Sequence, residues 1–255
     1  VLLHNAFLLA IAALCIVLVL LFIWDKKPVH LVSAVCLIIL SVTLQPLVIK
    51  CYEKEFSVEL SGEMPSALIL MGISEYDDTP TTGGWFTPKY MRMYFDDSIS
   101  DNELSDIISK ETAERVDYLL HNPGYATQFF RTKLISTWAE PTYESIWCGP
   151  LRDCGQIAET PLLADIYDGG ESYKLINGIC SVYSCVLLGF MLFYIGSLIF
   201  NKESIPDAYT LFAVIFFIGA FLFFTVSETK SRYVYPTVLL FIPLVGKQLS
   251  IILYK

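Results

Sequence analysis

Long apolar runs alternate with one polar stretch along this chain. Five runs, at residues 1–24, 29–49, 175–200, 208–227 and 234–254, are almost free of charge. Each is long enough to cross about 30 Å of hydrocarbon, which takes about 20 helical residues. A helix that is apolar on every face is typical of a membrane span rather than of a soluble core. The pattern predicts an all-α integral membrane protein with about five transmembrane helices.

The polar stretch, residues 50–174, lies between the second and third runs and predicts a mostly helical domain outside the bilayer. Ser100 begins a helix there, because Ser-Asp-Asn-Glu is a capping box and apolar residues follow at helical spacing. Asn122 and Pro123 end that helix and start another, since asparagine suits the cap and proline the first turn. We therefore expect a helical hairpin near residues 101–139.

The chain divides into residues 1–49 with two transmembrane helices, residues 50–174 as the loop domain, and residues 175–255 with three transmembrane helices. Five spans put the loop domain on the same side as the short loop near Arg232. Basic residues favour the cytoplasmic side, and the opposite side carries slightly more of them in its loops. Those residues are Lys26, Lys27, Lys202 and Lys255. The sequence thus predicts a multi-pass protein of the cell membrane, with residues 50–174 extracytoplasmic.

Composition agrees with a membrane protein and argues against one class of partner. Hydrophobic residues make up 55% of the chain, above the share of about 45–50% in soluble domains. The net charge is −9, which argues against nucleic acid as a partner and against a polybasic membrane-surface role. The apolar runs make membrane lipids the expected surroundings. Cys148 and Cys154 lie close together in the loop domain, where a disulfide and two free thiols both fit the sequence.

Residues 227–233 carry three charges between the fourth and fifth runs, which we call the charged segment. Charge at membrane depth is costly and indicates a functional site, although a solvated turn with an interfacial tyrosine fits the composition too. Arg232 and Lys230, with Tyr233 beside them, precede a helix N-terminus that attracts anions. They are candidate phosphate ligands, because a guanidinium binds phosphate with two N–H groups. Glu228 lies four residues before Arg232 and is its candidate orienting partner.

A second candidate segment, residues 138–147, combines aromatic rings with carboxylates. This combination suits sugars, and it suits a membrane interface equally well. The sequence has no phosphate-binding glycine loop, no nucleophile elbow and no zinc spacing. A divalent metal is the one cofactor left open, since the acid pairs at residues 77–78 and 96–97 offer oxygen ligands, and no metal ligand is assigned. The candidate sugar or acceptor contacts are Trp138, Glu140, Tyr143 and Trp147.

Residues 228–236, Glu-Thr-Lys-Ser-Arg-Tyr-Val-Tyr-Pro, resemble the late E-x-K-x-R-Y-x-x-P segment of bacterial membrane glycosyltransferases of the GT-C class. This class includes protein O-mannosyltransferases (glycosyltransferase family 39) and aminoarabinose transferases. Residues 83–85, 122–125 and 138–147 are similar to stretches of the extracytoplasmic loop in uncharacterised Gram-positive members. The likeness covers most of residues 60–245 and corresponds to the C-terminal part of a bacterial member.

The resemblance implies that a polyprenyl-phosphate-linked sugar is the donor and that it binds at the outer membrane face. In this family a late-span arginine holds the donor phosphate and stabilises the leaving group, a role that falls on Arg232. A carboxylate after the family's first helix acts on the acceptor. That acidic motif is absent from this sequence, so we expect residues upstream of Val1 and expect this part alone to be inactive.

Two other functions are compatible with the pattern. A transporter or flippase for an envelope polymer needs polar residues inside its spans. The predicted spans contain few beyond Gln45, Asn177 and Lys247, which speaks against this function. A non-enzymatic membrane anchor that presents a binding domain needs no charges between its fourth and fifth helices. The lipid-linked glycosyltransferase is therefore the leading hypothesis.

Overall fold

The computed structural model describes residues 5–57, 65–76, 83–96, 98–146, 155, 160–200 and 206–253. These residues are mainly helical, and none of them lies in a β-strand. In chain order, the helices are α1 (Asn5–Asp25), α2 (Pro28–Phe56), α3 (Pro65–Ile73), α4 (Lys89–Tyr94), α5 (Asp101–His121), α6 (Pro123–Trp138), α7 (Pro161–Tyr167), α8 (Glu171–Phe200), α9 (Ala208–Val226) and α10 (Ser231–Leu253).

Four helices, α1, α2, α8 and α9, are long and apolar enough to cross a membrane. They correspond to the first four predicted runs. At most 28% of the residues in each apolar stretch are buried inside the protein, which leaves most apolar side chains for lipid to cover. A helix satisfies its own backbone hydrogen bonds and can therefore enter hydrocarbon. The four helices indicate a multi-pass membrane protein.

The fifth predicted run also forms a helix, α10, but a more polar one. It contains Arg232, Lys247 and Gln248, together with two prolines at positions 236 and 243. Within the described residues, α10 does not combine the length and apolarity that the other four helices have. The crossing of the membrane by α10, and with it the count of five spans, stays a prediction.

Two helices of the loop domain, α5 and α6, begin and end close to where the sequence predicts, whereas α3, α4 and α7 were not predicted. The Ser100 hydroxyl accepts a hydrogen bond from the Glu103 N–H at 3.3 Å, which caps α5. Helix α5 ends at His121, and Pro123 begins α6. The two helices of the predicted hairpin are therefore present, with the break at Asn122.

The chain forms two compact units. Unit 1 comprises Val1–Thr127 and Ile205–Thr229, and unit 2 comprises Gln128–Ser204 and Lys230–Lys255. The boundaries fall inside α6, before α9, and in the middle of the charged segment. The sequence-based division at residues 49 and 174 separates membrane segments from the loop domain, which is a different criterion from compactness. That division stays a prediction.

Unit 1 joins membrane-length helices to a small core of the loop domain. Helix α1 packs against α2 and α9, and α3 packs against both α5 and α9. Burial of apolar side chains contributes about 25 cal/mol per Å² and stabilises this arrangement. The core cluster consists of Ala67, Leu70, Met71, Tyr90, Leu104 and Ile108.

Gly72 lets α3 approach the end of α9 closely. A Cβ at this position would lie 2.1 Å from the Ser227 carbonyl carbon, which is backbone and cannot move aside cheaply. Beside this contact, the Glu228 N–H donates to the Leu68 carbonyl at 2.7 Å, and the Thr229 N–H donates to the Gly84 carbonyl at 3.0 Å. Unit 1 therefore holds the first half of the charged segment through its backbone.

Unit 2 contains the helix that follows the charged segment. Helix α8 packs against α7 and α10. Helix α10 buries one face, because its buried residues recur every three or four positions. These residues are Val234, Thr237, Val238, Phe241, Leu244, Val245 and Gln248. The burial fixes the rotation of α10 and so determines where its first residues lie.

Candidate functional site

Two carboxylates hold Ser231, the first residue of α10. The Ser231 N–H donates to Glu144 Oε1 at 3.1 Å. Its hydroxyl lies 3.1 Å from Glu140 Oε2 and 3.2 Å from Glu144 Oε1, and its single hydrogen serves one of them at a time. A carboxylate at a helix N-terminus accepts an N–H that has no partner inside the helix, and the helix dipole favours its charge. Glu140 and Glu144, the carboxylate pair, therefore anchor the start of α10.

The turn after α6 brings both members of the carboxylate pair to the same place. Glu140 Oε2 also accepts the Glu144 N–H at 2.8 Å, while Glu140 Oε1 accepts the N–H of Thr142 at 3.0 Å as well as its hydroxyl. Tyr143 and Glu144 have φ angles of 51° and 58°. This left-handed backbone costs a residue other than glycine about 1 kcal/mol or more. The bonds to Glu140 offset that cost, and such retained strain is typical of functional loops.

Arg232 is held by one side of its guanidinium. Its Nε lies 3.9 Å from Glu144 Oε2, and the guanidinium carbon lies 5.7 Å from the centre of the Tyr233 ring. The Glu144 side chain is 9% exposed, whereas the Arg232 side chain is 49% exposed. Among the described residues, the two Nη groups of Arg232 have no hydrogen-bond partner. Because about half of the side chain is exposed, a ligand can approach the guanidinium, whose two-nitrogen edge suits phosphate.

The structure brings Tyr143 to the start of α10 as well. Its ring packs against Tyr235, with 5.1 Å between the ring centroids. Burial raises the pKa of Tyr143 above its ordinary value. The aromatic segment and the charged segment, which we predicted as two separate candidates, thus meet through Glu140, Tyr143 and Glu144.

Other predicted site residues stay predictions. Glu228 is 8% exposed and belongs to unit 1, whereas Arg232 belongs to unit 2, so the orienting role of Glu228 is not tested. Lys230 lies in unit 2, and its carbonyl accepts the Tyr233 N–H at 3.0 Å. Trp138 is the last residue of α6. The residues Trp147, Cys148 and Cys154 lie outside the described part of the chain.

The acid pairs give no described metal site. Asp77, Asp78 and Asp97 lie outside the described residues. The Asp96 carboxylate accepts the hydroxyl of Ser98 at 2.6 Å and its N–H at 3.0 Å, and these bonds lower the pKa of Asp96. Within the part of the chain that the structure describes, no three histidine, cysteine or acidic side chains come together as metal ligands.

Sequence analysis missed an acid–base network in unit 1. Lys89 Nζ lies 2.9 and 2.8 Å from the two Glu111 carboxylate oxygens, and the Tyr90 hydroxyl donates to Glu111 at 2.6 Å. The Tyr76 hydroxyl lies 2.9 Å from that of Tyr90. Burial alone would raise the pKa of Glu111, but the bonds from Lys89 and Tyr90 and the Lys89 charge together lower it.

Arg115 forms a second group of bonds at the edge of a shallow depression of about 460 Å³, which Tyr76 and Glu111 also line. Its Nε donates to the Ile73 carbonyl at 2.7 Å, and its Nη2 donates to the Tyr125 hydroxyl at 2.7 Å. That hydroxyl donates in turn to Glu75 at 2.6 Å. The partners lie up to 50 residues apart in sequence, so helical spacing alone gave no signal for them.

Lys133 is a further residue that the sequence pattern did not single out. It lies on α6 and is only 1% exposed. Lysine is rarely so deeply buried unless it is paired. One sign of the burial of Lys133 was present in the sequence: it is a charged residue beside the mainly apolar stripe that includes Leu134 and Thr137.

The fold and this site define a class: a multi-pass membrane protein in which a carboxylate-anchored helix start presents an accessible arginine. No protein-family model, no curated protein and no solved structure matches the chain.

Proposed function

We propose that this chain is part of a membrane glycosyltransferase that takes its sugar from a polyprenyl-phosphate donor. One observation carries the proposal: Arg232 is half exposed at the start of α10 and forms its described ion pair, with Glu144, through Nε. A planar guanidinium in this state suits two oxygens of a phosphate. A purely structural arginine would be expected to use its Nη groups within the protein.

The proposed chemistry uses Arg232 to stabilise the leaving group. The acceptor hydroxyl attacks the anomeric carbon of the sugar, and the bond from that carbon to the phosphate oxygen breaks. The electron pair of that bond stays on the phosphate, which gains negative charge that a nearby guanidinium stabilises. The acceptor's proton passes to a carboxylate base, which the family resemblance places in an extracytoplasmic loop.

The proposal puts the reaction on the outer side of the membrane. Residues 50–174 and the charged segment are then extracytoplasmic, and the loops that carry Lys26, Lys27 and Lys202 are cytoplasmic. The support is the distribution of basic residues in the short loops. The donor's phosphate would then lie at the interface, next to the start of α10.

The test is sugar transfer by the full-length protein in lipid vesicles, with a polyprenyl-phosphate sugar as the donor. Arg232→Ala should lower the transfer rate by about 100-fold, the usual cost of losing a group that stabilises developing charge. Arg232→Lys should lower it less, because lysine keeps the charge but not the planar pair of donors. Thermal unfolding of both variants should match that of the unchanged protein.

Arg131→Lys is the matched control, because Arg131 is an exposed arginine on α6 in the same unit. It should leave transfer unchanged. Full activity of both Arg232 variants would overturn the proposed role and with it the main argument for this enzyme.

A further inference from the structure

Glu144 touches both Ser231 and Arg232 with different oxygens. Its Oε1 accepts the Ser231 N–H, and its Oε2 lies 3.9 Å from Arg232 Nε. One carboxylate, whose side chain is only 9% exposed, thus lies between the first N–H of α10 and the next residue's guanidinium. All of these residues belong to unit 2, so the arrangement does not depend on how the two units are placed.

Glu144 itself is fixed by its neighbours in the turn. Glu140 accepts the Glu144 N–H at 2.8 Å and is held in turn by Thr142. The left-handed backbone of Tyr143 and Glu144 shows that the turn keeps a costly conformation to put this carboxylate where it is. A helix cap alone does not require this, since serine, threonine or aspartate before the helix would serve.

The ion pair between Glu144 and Arg232 adds little stability. Arg232 is half exposed, and exposed pairs are worth about 1 kcal/mol or less. The benefit of the contact is therefore orientation: Nε is turned toward Glu144, and the opposite edge of the guanidinium remains accessible. A carboxylate so close to the guanidinium also opposes the binding of a further anion to Arg232.

We infer that Glu144 is the positioning residue of Arg232, and that Glu140 supports it by fixing the turn. The inference rests on the proposed function, because it assigns what sets the geometry of the proposed phosphate ligand. Glu144 presets the guanidinium so that its two Nη groups face the donor phosphate. Placement errors of about 1 Å can cost up to about 100-fold in rate, so such presetting acts mainly on turnover.

The experiment uses Glu144→Gln in the full-length protein. Glutamine keeps a carbonyl oxygen for the Ser231 N–H but loses the charge that orients Arg232. Turnover of the polyprenyl-phosphate sugar should fall about tenfold. Binding of polyprenyl phosphate alone should change less than threefold, because the lost orientation is offset by the removal of a repelling charge. Thermal unfolding should be unchanged.

A double-mutant cycle separates positioning from structure. In the Arg232→Ala background, adding Glu144→Gln should cause no further loss of turnover, because the group it orients is gone. Equal losses in both backgrounds, a parallel drop in thermal stability, or full turnover of Glu144→Gln would each overturn the inference. If Arg232→Ala is itself fully active, the proposed function fails. If only Glu144→Gln is fully active, the proposed function stands and the positioning role alone fails.

Discussion

Each unit places a glutamate beside a basic side chain, but the two pairs differ in how fully the cation is used. In unit 1, Lys89 binds both oxygens of Glu111 at 2.9 and 2.8 Å, and Tyr90 adds a third bond. In unit 2, Arg232 approaches Glu144 at 3.9 Å through Nε alone. A saturated pair contributes to structure, whereas an incompletely used cation can still bind a ligand.

The exposure of the side chains also distinguishes the two pairs. Lys89 and Glu111 are about equally exposed, at 37% and 33%, as expected of two side chains that lie side by side near a surface. Only 9% of the Glu144 side chain is exposed, while the Arg232 side chain is half exposed. The acid of unit 2 is thus built into the protein and its base faces outward. This asymmetry is the reason for proposing function in unit 2 and structure in unit 1.

The largest expected effect comes from breaking the close packing that holds the unit 1 half of the charged segment. Gly72→Ala puts a Cβ 2.1 Å from the Ser227 backbone, so α3 must move away from the end of α9. The free energy of unfolding should fall by about 3 kcal/mol, the upper part of the usual range for overpacking. Thermal unfolding in detergent would measure it.

Gly124→Ala is the control for that change, because a Cβ there meets no atom within 4 Å. It should leave stability unchanged or raise it slightly, since alanine favours the helix. Equal stability of the two variants would contradict the close approach at Gly72.

A smaller effect should come from Lys89→Met, which removes the cation of the saturated pair. Glu111 then keeps only the bond from Tyr90. The free energy of unfolding should fall by about 1 kcal/mol, because both side chains are partly exposed and solvent screens the loss. Transfer per folded molecule should be unchanged, in contrast to the Arg232 variants.

The exposed pair of Lys110 and Glu114, 4.0 Å apart on α5, supplies the control for Lys89→Met. Lys110→Met should change stability by less than about 0.5 kcal/mol. A loss of transfer in Lys89→Met without a loss of stability would contradict the comparison and move the functional site into unit 1.

The smallest expected effect is a pH dependence of stability in unit 1. The folded pKa of Glu111 lies below its ordinary value of 4.5, because the bonds from Lys89 and Tyr90 outweigh its burial. The stability from this carboxylate is therefore present above about pH 4.5 and is lost as the pH falls through the folded pKa. Glu111→Gln should flatten the acid side of the stability profile, measured by unfolding between pH 3 and 6.

Glu114→Gln, at an exposed position on the same helix, should leave that profile as it is. A profile of Glu111→Gln that coincides with that of the unchanged protein would show that the pair contributes nothing at acid pH.

Local patterns were enough to predict the apolar helices and the two helices α5 and α6, and they placed Arg232 near a helix start. The capping box at Ser100 and the Asn-Pro break at residue 122 act within a single helical turn, so their effect can be read from neighbouring residues. Arg232 was predicted at a helix start for the same reason. The apolar runs were equally informative, because the length of a membrane crossing is a property of each segment alone.

Only the tertiary structure decided which acids meet which bases. Glu144 lies 87 residues before Ser231, and Lys89 lies 22 residues before Glu111, so no helical spacing connects them. Sequence proximity made Glu228 the candidate partner of Arg232, and that pairing stays a prediction, while the described ion pair of Arg232 is with Glu144. A carboxylate four residues away in sequence is only one of several that folding can bring near an arginine. The choice depends on the rotation of α10, fixed by its buried face, and on a left-handed turn that no composition of the segment reveals.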